Sequence, residues 1–242
     1  MGFSFEIKRE NAVIPMNDLT VLYYTANVLK EPFASKAREI LWQAKGDYPL
    51  ISISKKPMDF GQNIVVDFPR SQVGIYRQIL IGAKAATTEF VAFAEDDCLY
   101  TKEHFTCFRP QADEFAYDMA KWSLYTWSNP PVYSIKDRIS NCTAIAPRLL
   151  LIEALEERFA KYPDESKIPL QYFSEVGKYD KGLRVTPRKI VKFMSKSPCI
   201  IFSHPDAIGY GYLGNRKKVG GFLAYDIPVW GKAADVIKNI YS

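Results

Sequence analysis

Short apolar runs alternate with amphipathic segments through the first part of the chain, and this alternation constrains the fold more than any other feature. The apolar runs are typical of buried strands, and the segments between them carry the apolar spacing of helices. The predicted strands cover residues 20–24, 50–54, 63–67 and 90–94, and the predicted helices cover residues 33–44 and 73–86. Elements in this order are typical of a parallel sheet with helices on both faces. We therefore predict an α/β fold, a Rossmann-type mixed and mostly parallel sheet flanked by helices.

The second half of the chain is less regular. Its apolar runs predict strands at residues 122–127, 142–146 and 197–203, and its helical spacing predicts a helix at residues 147–162. Residues 209–221 are rich in Gly, Tyr and basic side chains, which predicts a loop or lid. No linker-like segment divides the chain, so we predict a single domain over residues 1–242.

The charge balance suits a partner that carries phosphate groups. The chain holds 32 basic and 27 acidic side chains, a formal net charge of +5. This excess is well short of that of a protein that coats nucleic acid, but it favours a nucleotide, a nucleic acid or an anionic surface as partner. Many of the basic residues that produce this net charge lie late in the sequence, and they are equally compatible with a solvated face.

The cysteines and the apolar runs indicate the compartment. Cys98, Cys107, Cys142 and Cys199 form no CxxC pair, which argues against a disulfide framework and against a structural zinc site. The amino terminus lacks the apolar core of a signal peptide, and no apolar run reaches the roughly 18 residues of a membrane span. We therefore expect a soluble, cytoplasmic protein with no integral membrane segment.

Three consecutive carboxylates, Glu95, Asp96 and Asp97, directly follow the apolar run at residues 90–94. Carboxylates at such close quarters repel one another unless a cation or hydrogen-bond donors compensate them. Mg²⁺ and Mn²⁺ prefer oxygen ligands and commonly bridge carboxylates to substrate phosphates. The sequence therefore predicts a metal site here. The alternatives are a solvated acidic turn or a cap for a helix that begins near Thr101.

The segments VLYYTAN, IYRQILIGAKAATTEF and VAFAEDD, in this order, resemble the nucleotide-binding half of a GT-A glycosyltransferase. In that family, a hydrophobic strand ends in an acidic DXD motif, and here Glu95 stands at its first position. The resemblance covers residues 1–105 well and residues 106–242 only loosely. It implies a GT-A-like fold, a nucleotide-binding half followed by an acceptor-binding half, and a metal-dependent glycosyltransferase that uses Mn²⁺ or Mg²⁺ and a nucleotide-sugar donor, by preference a UDP-sugar.

The resemblance also implies roles for particular residues. Asp97 would be the main metal ligand and a catalytic residue. Glu95 or Asp96 would meet the ribose or a metal-bound water, and Glu95 would be a second metal ligand. The residues implied to contact the nucleotide are Thr25, Ala26 and Asn27 at the nucleoside, Ser54 and Lys55 at the base, and Arg77 and Lys84 on the preceding helix. An ordinary solvated helix face is the alternative for Arg77 and Lys84.

Further candidates fall in the second half. The resemblance implies that His204, after the strand at residues 197–203, is a further metal ligand, and that Arg216, Lys217 and Lys218 offset the charge on the leaving diphosphate. His104 is expected to be structural. An inverting reaction needs a carboxylate base, and the candidates are Asp137, Glu165, Glu175 and Asp180. Glu175 is preferred because aromatic residues surround it, although an exposed loop acid is the alternative.

The acceptor is left open by the sequence. Aromatic side chains pack against sugar rings and stack on nucleobases alike, and the aromatics that fall in the second half are Tyr125, Trp127, Tyr133, Tyr172, Phe173, Tyr210, Tyr212 and Tyr225. A hydroxyl group on a glycan or small molecule, or on a hydroxylated base in DNA, would fit. Two other functions stay open: a nucleotidyltransferase, and a non-catalytic nucleic-acid-binding protein with the same fold. The segment TANVLKEPF lacks the Gly-rich loop of nucleotidyltransferases.

Overall fold

The structure, a computed structural model, describes residues 17–203 and 221–242. The strands are β1 (Leu19–Tyr24), β2 (Leu50–Ser54), β3 (Gln62–Val65), β4 (Phe90–Glu95), β5 (Cys98–Leu99), β6 (Glu114–Asp118), β7 (Lys121–Tyr125), β8 (Val132–Ile135), β9 (Ala144–Pro147), β10 (Lys189–Phe193), β11 (Cys199–Ser203), β12 (Leu223–Ala224), β13 (Asp226–Ile227) and β14 (Gly231–Lys232). The α-helices are α1 (Phe33–Lys45), α2 (Gln72–Ala85), α3 (Lys102–Thr106), α4 (Arg148–Lys161), α5 (Asp180–Leu183) and α6 (Ala233–Tyr241), and the 3₁₀ helices are η1 (Asn141–Thr143) and η2 (Glu165–Lys167).

A seven-stranded sheet has the order β10-β6-β9-β4-β1-β2-β3. β1 pairs in parallel with β2 and β4, β2 with β3, and β6 with β10. β9 runs antiparallel to both of its neighbours, β4 and β6. The sheet is therefore mixed and mostly parallel, and helices cover it, so the predicted α/β fold class is confirmed.

β1 and β4 are mostly apolar because helices cover both sides of the sheet. On one side, Leu22 of β1 and Phe93 of β4 belong to a buried cluster that includes residues of α2 and α4. On the other side, Val21 and Ala92 belong to a second cluster with residues of α1 and α3. Alternate residues of a strand point to opposite faces, so one continuous apolar run contributes to both clusters.

A five-stranded sheet of order β12-β8-β7-β11-β5 accompanies the larger one, and the sequence did not predict it. β11 pairs in parallel with β7 and antiparallel with β5. The buried face of this five-stranded sheet packs against α1 and α6, where Phe33 and Ile240 contact Leu124 and Phe202. Because β5 follows β4 almost directly, the chain passes from the large sheet to the small one at Asp96 and Asp97.

The predicted elements of the first half are confirmed to within about two residues at each end, and the second half needs correction. The predicted strand at residues 142–146 begins instead as η1, because the N–H of Thr143 donates to the Ser140 carbonyl in a turn (3.1 Å), and only Ala144–Pro147 is extended. β6, β8 and β10 were not predicted. Within residues 17–203 and 221–242, no helix combines the length and the apolarity needed to cross a bilayer.

Candidate functional site

An open cleft lies where β1, β2 and β4 end, at the carboxyl edge of the parallel part of the sheet. Tyr24 is the register partner of Glu95, so the loops that follow β1 and β4 start side by side. Ligands of open α/β sheets bind at this edge, outside the carboxyl ends of the strands. The position of the cleft is therefore that of a ligand site.

The loop after β1 is fixed to its neighbours by side chains that the sequence singled out. The Thr25 hydroxyl donates a hydrogen bond to the Asp96 carboxylate, which joins this loop to the acidic turn after β4. Asn27 adopts φ 54°, a left-handed conformation that Asn tolerates. Its Oδ1 accepts hydrogen bonds from the backbone N–H of Lys55 (2.7 Å) and of the next residue (3.0 Å). Thr25 and Ala26 line the cleft on this wall.

The loop after β2 presents Lys55 to the cleft. Its ammonium donates a hydrogen bond to the Phe68 carbonyl and lies 3.6 Å from the centroid of the Phe68 ring. Burial lowers the pKa of Lys55, and the negative charge of Asp67 opposes that shift. Ser54 lies behind this wall, where its hydroxyl donates to the Lys56 carbonyl (2.7 Å). Lys55 therefore reaches the cleft, and Ser54 shapes the turn that positions it.

Gln78, on α2, is a wall residue that the sequence analysis missed. Its Nε2 donates hydrogen bonds to the carbonyl oxygens of Thr25 (2.9 Å) and Ile53 (2.8 Å), at the ends of β1 and β2. The side chain is buried and lines the cleft. In a sequence, a helical Gln of this kind looks like any other, so no local pattern identifies it.

Glu95, the last residue of β4, is held by two tyrosines. The Tyr24 hydroxyl donates to Glu95 Oε1 (2.9 Å), and the Glu95 N–H donates to the Tyr100 hydroxyl (2.8 Å). Burial raises the pKa of the Glu95 carboxyl well above its usual range, and the neighbouring Cys142 and the negative charge of Asp97 raise it further. A carboxyl in that environment is stabilised as the anion when a cation binds beside it.

Asp96 and Asp97 form the turn between the two sheets, and both line the cleft beside Glu95. The Asp97 carbonyl accepts a hydrogen bond from the Phe202 N–H of β11 (2.9 Å). The next residue, Cys98, begins β5 and pairs with Ile201 of β11. The acidic turn is therefore fixed to β1 through Thr25 and to the smaller sheet through β11.

Three basic residues that the sequence did not single out line the same cleft: Arg70, Lys136 and Arg138. Arg70 precedes α2, and Lys136 and Arg138 follow β8. Lys136 lies near enough to Glu95 that its positive charge acts to lower the pKa of that carboxyl, against the larger effect of burial. The cleft therefore places carboxylates and cations at one edge of the sheet.

Two predicted nucleotide contacts lie elsewhere. Arg77 forms an ion pair with Glu165, and its guanidinium lies 5.3 Å from the ring centroid of Phe159. Lys84 forms an ion pair with Glu156 of α4 (2.6 Å). Neither side chain lines the cleft, because the residues of α2 that face it, Gly74, Ile75 and Gln78, lie on a different side of the helix.

Glu175, the preferred base, also lies outside the cleft lining. Its Oε2 accepts hydrogen bonds from the Ser174 hydroxyl (2.7 Å) and from the Lys178 ammonium (3.1 Å). Of the other candidates, Asp180 is buried against Arg158 (2.9 Å), Glu165 pairs with Arg77, and Asp137 is exposed. Among the residues that the structure describes, these four acids are all absent from the cleft wall.

The remaining predicted site residues, His204, Arg216, Lys217 and Lys218, lie outside the described residues. His104 is fully buried below the sheet, and its Nδ1 lies 3.0 Å from Asp118 Oδ2. Burial acts to raise the pKa of Asp118, but hydrogen bonds from His104, Ser195 and Ala120 outweigh it and hold that pKa below its usual range. This arrangement agrees with a structural role for His104.

The acidic turn fits a hard divalent cation. Glu95, Asp96 and Asp97 offer carboxylate oxygens at the cleft, the donor type that Mg²⁺ and Mn²⁺ prefer. Burial raises the pKa of Glu95, with Cys142 and the negative charge of Asp97 adding to the effect, and a cation bound beside the carboxylate would oppose that shift. Asp97 and Glu95 would hold the ion.

Solved structures similar to this chain include glycosyltransferases. Staphylococcus aureus TarS is 14% identical over 79% of this chain and 37% of its own, at a TM-score of 0.42. A glycosyltransferase involved in glycosylation of the major capsid of PBCV-1 is 13% identical over 76% of this chain and 91% of its own, at a TM-score of 0.45. The mannosyltransferase PcManGT from Pyrobaculum calidifontis was solved in complex with GDP-Man and Mn²⁺. It is 8% identical over 87% of this chain and 63% of its own, at a TM-score of 0.49.

No protein-family model matches the chain, and no curated protein matches it. The chain spans 37% of the TarS structure, so most of that protein has no counterpart here. A likeness at these identities and TM-scores does not assign an activity, which depends on the side chains at the cleft.

Proposed function

We propose that this protein is a metal-dependent glycosyltransferase that moves a sugar from a nucleotide-sugar donor to a hydroxyl group of an acceptor. One observation carries the proposal: a single cleft at the carboxyl edge of the sheet combines the carboxylates of Glu95, Asp96 and Asp97 with the cations Lys136 and Arg138. The two suit a nucleotide-sugar, because its diphosphate is anionic and is neutralised by a divalent cation, by basic side chains or by both.

The nucleoside end of the donor would lie against the loops after β1 and β2. Thr25, Ala26 and Lys55 line that part of the cleft, and Asn27 fixes the two loops together through Oδ1. Gln78 ties the same strand ends through two hydrogen bonds. Preformed walls lower the ordering cost of binding, which favours a rigid, planar ligand such as a nucleobase.

The diphosphate would lie between the acidic turn and the basic residues after β8. When bound, Mn²⁺ or Mg²⁺ supplies positive charge that stabilises the diphosphate as a leaving group. Asp97 and Glu95 would hold that ion, and Lys136 and Arg138 would neutralise the charge that develops as the bond between the sugar and the diphosphate breaks. The acceptor hydroxyl forms the new glycosidic bond and gives its proton to a base. None of the four candidate acids lines the cleft among the described residues, so we assign that proton to no residue.

The donor is proposed to be a UDP-sugar, on the resemblance of the motif alone. The acceptor is proposed to be a hydroxyl of a glycan or of a hydroxylated DNA base, recognised in part by exposed aromatic rings. Of the aromatics of the second half, Tyr225 is 59% exposed and Tyr172 is 38% exposed, whereas Tyr133 and Phe173 are fully buried and belong to the core.

The donor site is tested by thermal unfolding with a panel of nucleoside diphosphates, with and without Mn²⁺. A ligand that binds only the folded state raises the melting temperature. We expect a Mn²⁺-dependent rise with one nucleotide, its loss in Asp97→Ala and its retention in Asp113→Ala, an exposed acid outside the cleft that pairs with Lys189. No rise with any nucleotide would overturn the proposal. Pyrophosphate release from a nucleoside triphosphate would favour a nucleotidyltransferase, and tight nucleic-acid binding unaffected by Asp97→Ala would favour a binding protein.

A further inference from the structure

Three side chains with metal-ligand chemistry meet behind the cleft wall, where Glu95 lines the cleft and the two cysteines beside it are buried. Glu95 ends β4, Cys98 lies on β5 and Cys142 lies on η1, and one ligand atom of each lies within 4.8 Å of the other two. The two cysteines are 44 residues apart in the chain, so the cluster exists only in the folded protein. All four cysteines are free thiols.

Neighbouring hydrogen bonds hold these ligands in place. The Tyr100 hydroxyl accepts a hydrogen bond from the Glu95 N–H (2.8 Å) and donates one to the Cys142 carbonyl (2.9 Å), so it bridges two of the three segments. Tyr24 orients the Glu95 carboxylate through Oε1 (2.9 Å). Outer partners of this kind fix metal ligands before the ion arrives and raise the affinity for it.

We propose that Glu95, Cys98 and Cys142 form a thiophilic metal site that binds Zn²⁺ or a similar ion through one carboxylate oxygen and two sulfurs. Two Zn–S bonds and one Zn–O bond form, the two thiol protons pass to solvent, and no oxidation is involved. Asp97, whose Oδ1 lies 3.4 Å from the Cys98 sulfur, or a water molecule would supply the fourth ligand.

The distances and the donor types suit zinc. Zn–S bonds of about 2.3 Å in a tetrahedral site place two sulfurs about 3.8 Å apart. The ligand atoms here lie within 4.8 Å of one another. Zinc binding therefore requires them to approach by about 1 Å or less. Thiolates select Zn²⁺ and other soft ions over Mg²⁺ and Mn²⁺, which prefer oxygen. The cysteine spacing in the sequence argued against a structural zinc site, and the fold brings together a pair that the spacing separates.

The thiophilic site and the proposed Mn²⁺ or Mg²⁺ site share Glu95. One carboxylate cannot serve both ions fully, so Zn²⁺ bound at Cys98 and Cys142 is expected to weaken Mn²⁺-dependent nucleotide binding. This competition rests on the proposed function, whereas Zn²⁺ binding itself does not. An absence of nucleotide binding would therefore not contradict the thiophilic site. An absence of thiolate coordination would not contradict the donor site.

The test is a titration of the reduced 242-residue chain with Co²⁺. This ion substitutes for Zn²⁺ and gives visible absorption bands and sulfur-to-cobalt charge-transfer bands. We expect one equivalent to bind with charge-transfer bands, and Zn²⁺ to displace it. Cys98→Ser and Cys142→Ser should each remove about half of the charge-transfer intensity and weaken Zn²⁺ binding at least tenfold. Cys107→Ser, a cysteine outside the cluster, should leave both unchanged.

Zinc-edge X-ray absorption on the wild-type protein keeps the proposal testable if a cysteine variant does not fold. The expected first shell holds two sulfur scatterers at about 2.3 Å together with oxygen at roughly 2.0–2.2 Å. A first shell of oxygen and nitrogen alone would overturn the proposal. So would charge-transfer bands that persist in the folded Cys98→Ser, Cys142→Ser double variant or disappear in Cys107→Ser.

Discussion

The Tyr24 hydroxyl donates a hydrogen bond to Glu95 Oε1 over 2.9 Å, across 71 residues of sequence. The two residues end β1 and β4 as register partners. Through this contact the strand that bears the proposed nucleoside loop sets the orientation of the first carboxylate of the acidic turn. Tyr24 is 4% exposed, so water cannot replace the bond easily.

We expect Tyr24→Phe to lower the free energy of unfolding by roughly 1–2 kcal/mol, because a buried hydrogen bond to a carboxyl group is lost. Mn²⁺ affinity should fall about tenfold, since Glu95 is no longer held in place. Denaturant unfolding and Mn²⁺ titration measure the two effects. Tyr179→Phe, at a ring that is 38% exposed, is the control and should change neither. Unchanged Mn²⁺ affinity in Tyr24→Phe would argue against Glu95 as a ligand.

Lys136→Ala and Arg138→Ala should each weaken nucleoside diphosphate binding about tenfold, or about 1.4 kcal/mol. Each removes a cation from the cleft wall, and the effect should shrink as ionic strength rises. Lys84→Ala is the matched control, since that ammonium pairs with Glu156 away from the cleft. Binding by calorimetry at two salt concentrations measures the difference. Equal losses in all three variants would show that net charge, and not position, governs binding.

Gly61→Ala should destabilise the protein by at least about 1 kcal/mol, because Gly61 has φ +65° and an added Cβ would meet the backbone carbonyl of Leu50. Gly221→Ala is the control: its Cβ would meet open space, so its effect should stay within about 0.5 kcal/mol. Thermal and denaturant unfolding compare the two. A neutral Gly61→Ala would mean that the turn between β2 and β3 differs from the one described.

Asp118→Asn should destabilise the protein by roughly 1–3 kcal/mol, because a buried anion that accepts from His104 and two backbone N–H groups is replaced. The folded pKa of Asp118 lies below its unfolded value of about 3.9. The stability it contributes is therefore present above about pH 4 and is lost as the pH falls through the folded pKa.

Unfolding measured from pH 7 downwards should show this difference. The wild type should lose stability more steeply below about pH 4 than Asp118→Asn, which has no carboxyl to protonate at that position. Asp59→Asn, at an exposed residue between β2 and β3, should follow the wild-type curve. If the free energy of unfolding fell with pH equally in the wild type and in Asp118→Asn, the Asp118–His104 pair would contribute nothing to the loss of stability in acid.

The first half of the fold could be predicted because its signals are local. β1 and β4 are mostly apolar runs, and α1 ends at Gly46, whose φ of 56° favours glycine. The acidic turn could be located for the same reason, since it follows directly from β4. These features depend on neighbours in the chain and not on distant pairing.

The smaller sheet and half of the cleft could not be predicted, because they depend on distant pairing. β11 pairs with β7 across a long sequence separation, and the position of Lys136 and Arg138 follows from the β7–β8 pairing. The family resemblance implied nucleotide contacts for Arg77 and Lys84 because they lie on the helix before the acidic motif. A helix turns by about 100° per residue, so Gln78 faces the cleft while Arg77 pairs with Glu165.

The most direct test of the proposed donor site is a crystal structure with Mn²⁺ and the nucleotide that raises the melting temperature, with anomalous data collected for manganese. The expected result is an anomalous peak at about 2.2 Å from a carboxylate oxygen of Asp97, with the diphosphate between that ion and Lys136 or Arg138. A nucleotide bound away from the ends of β1 and β4, or manganese bound without Asp97, would contradict it.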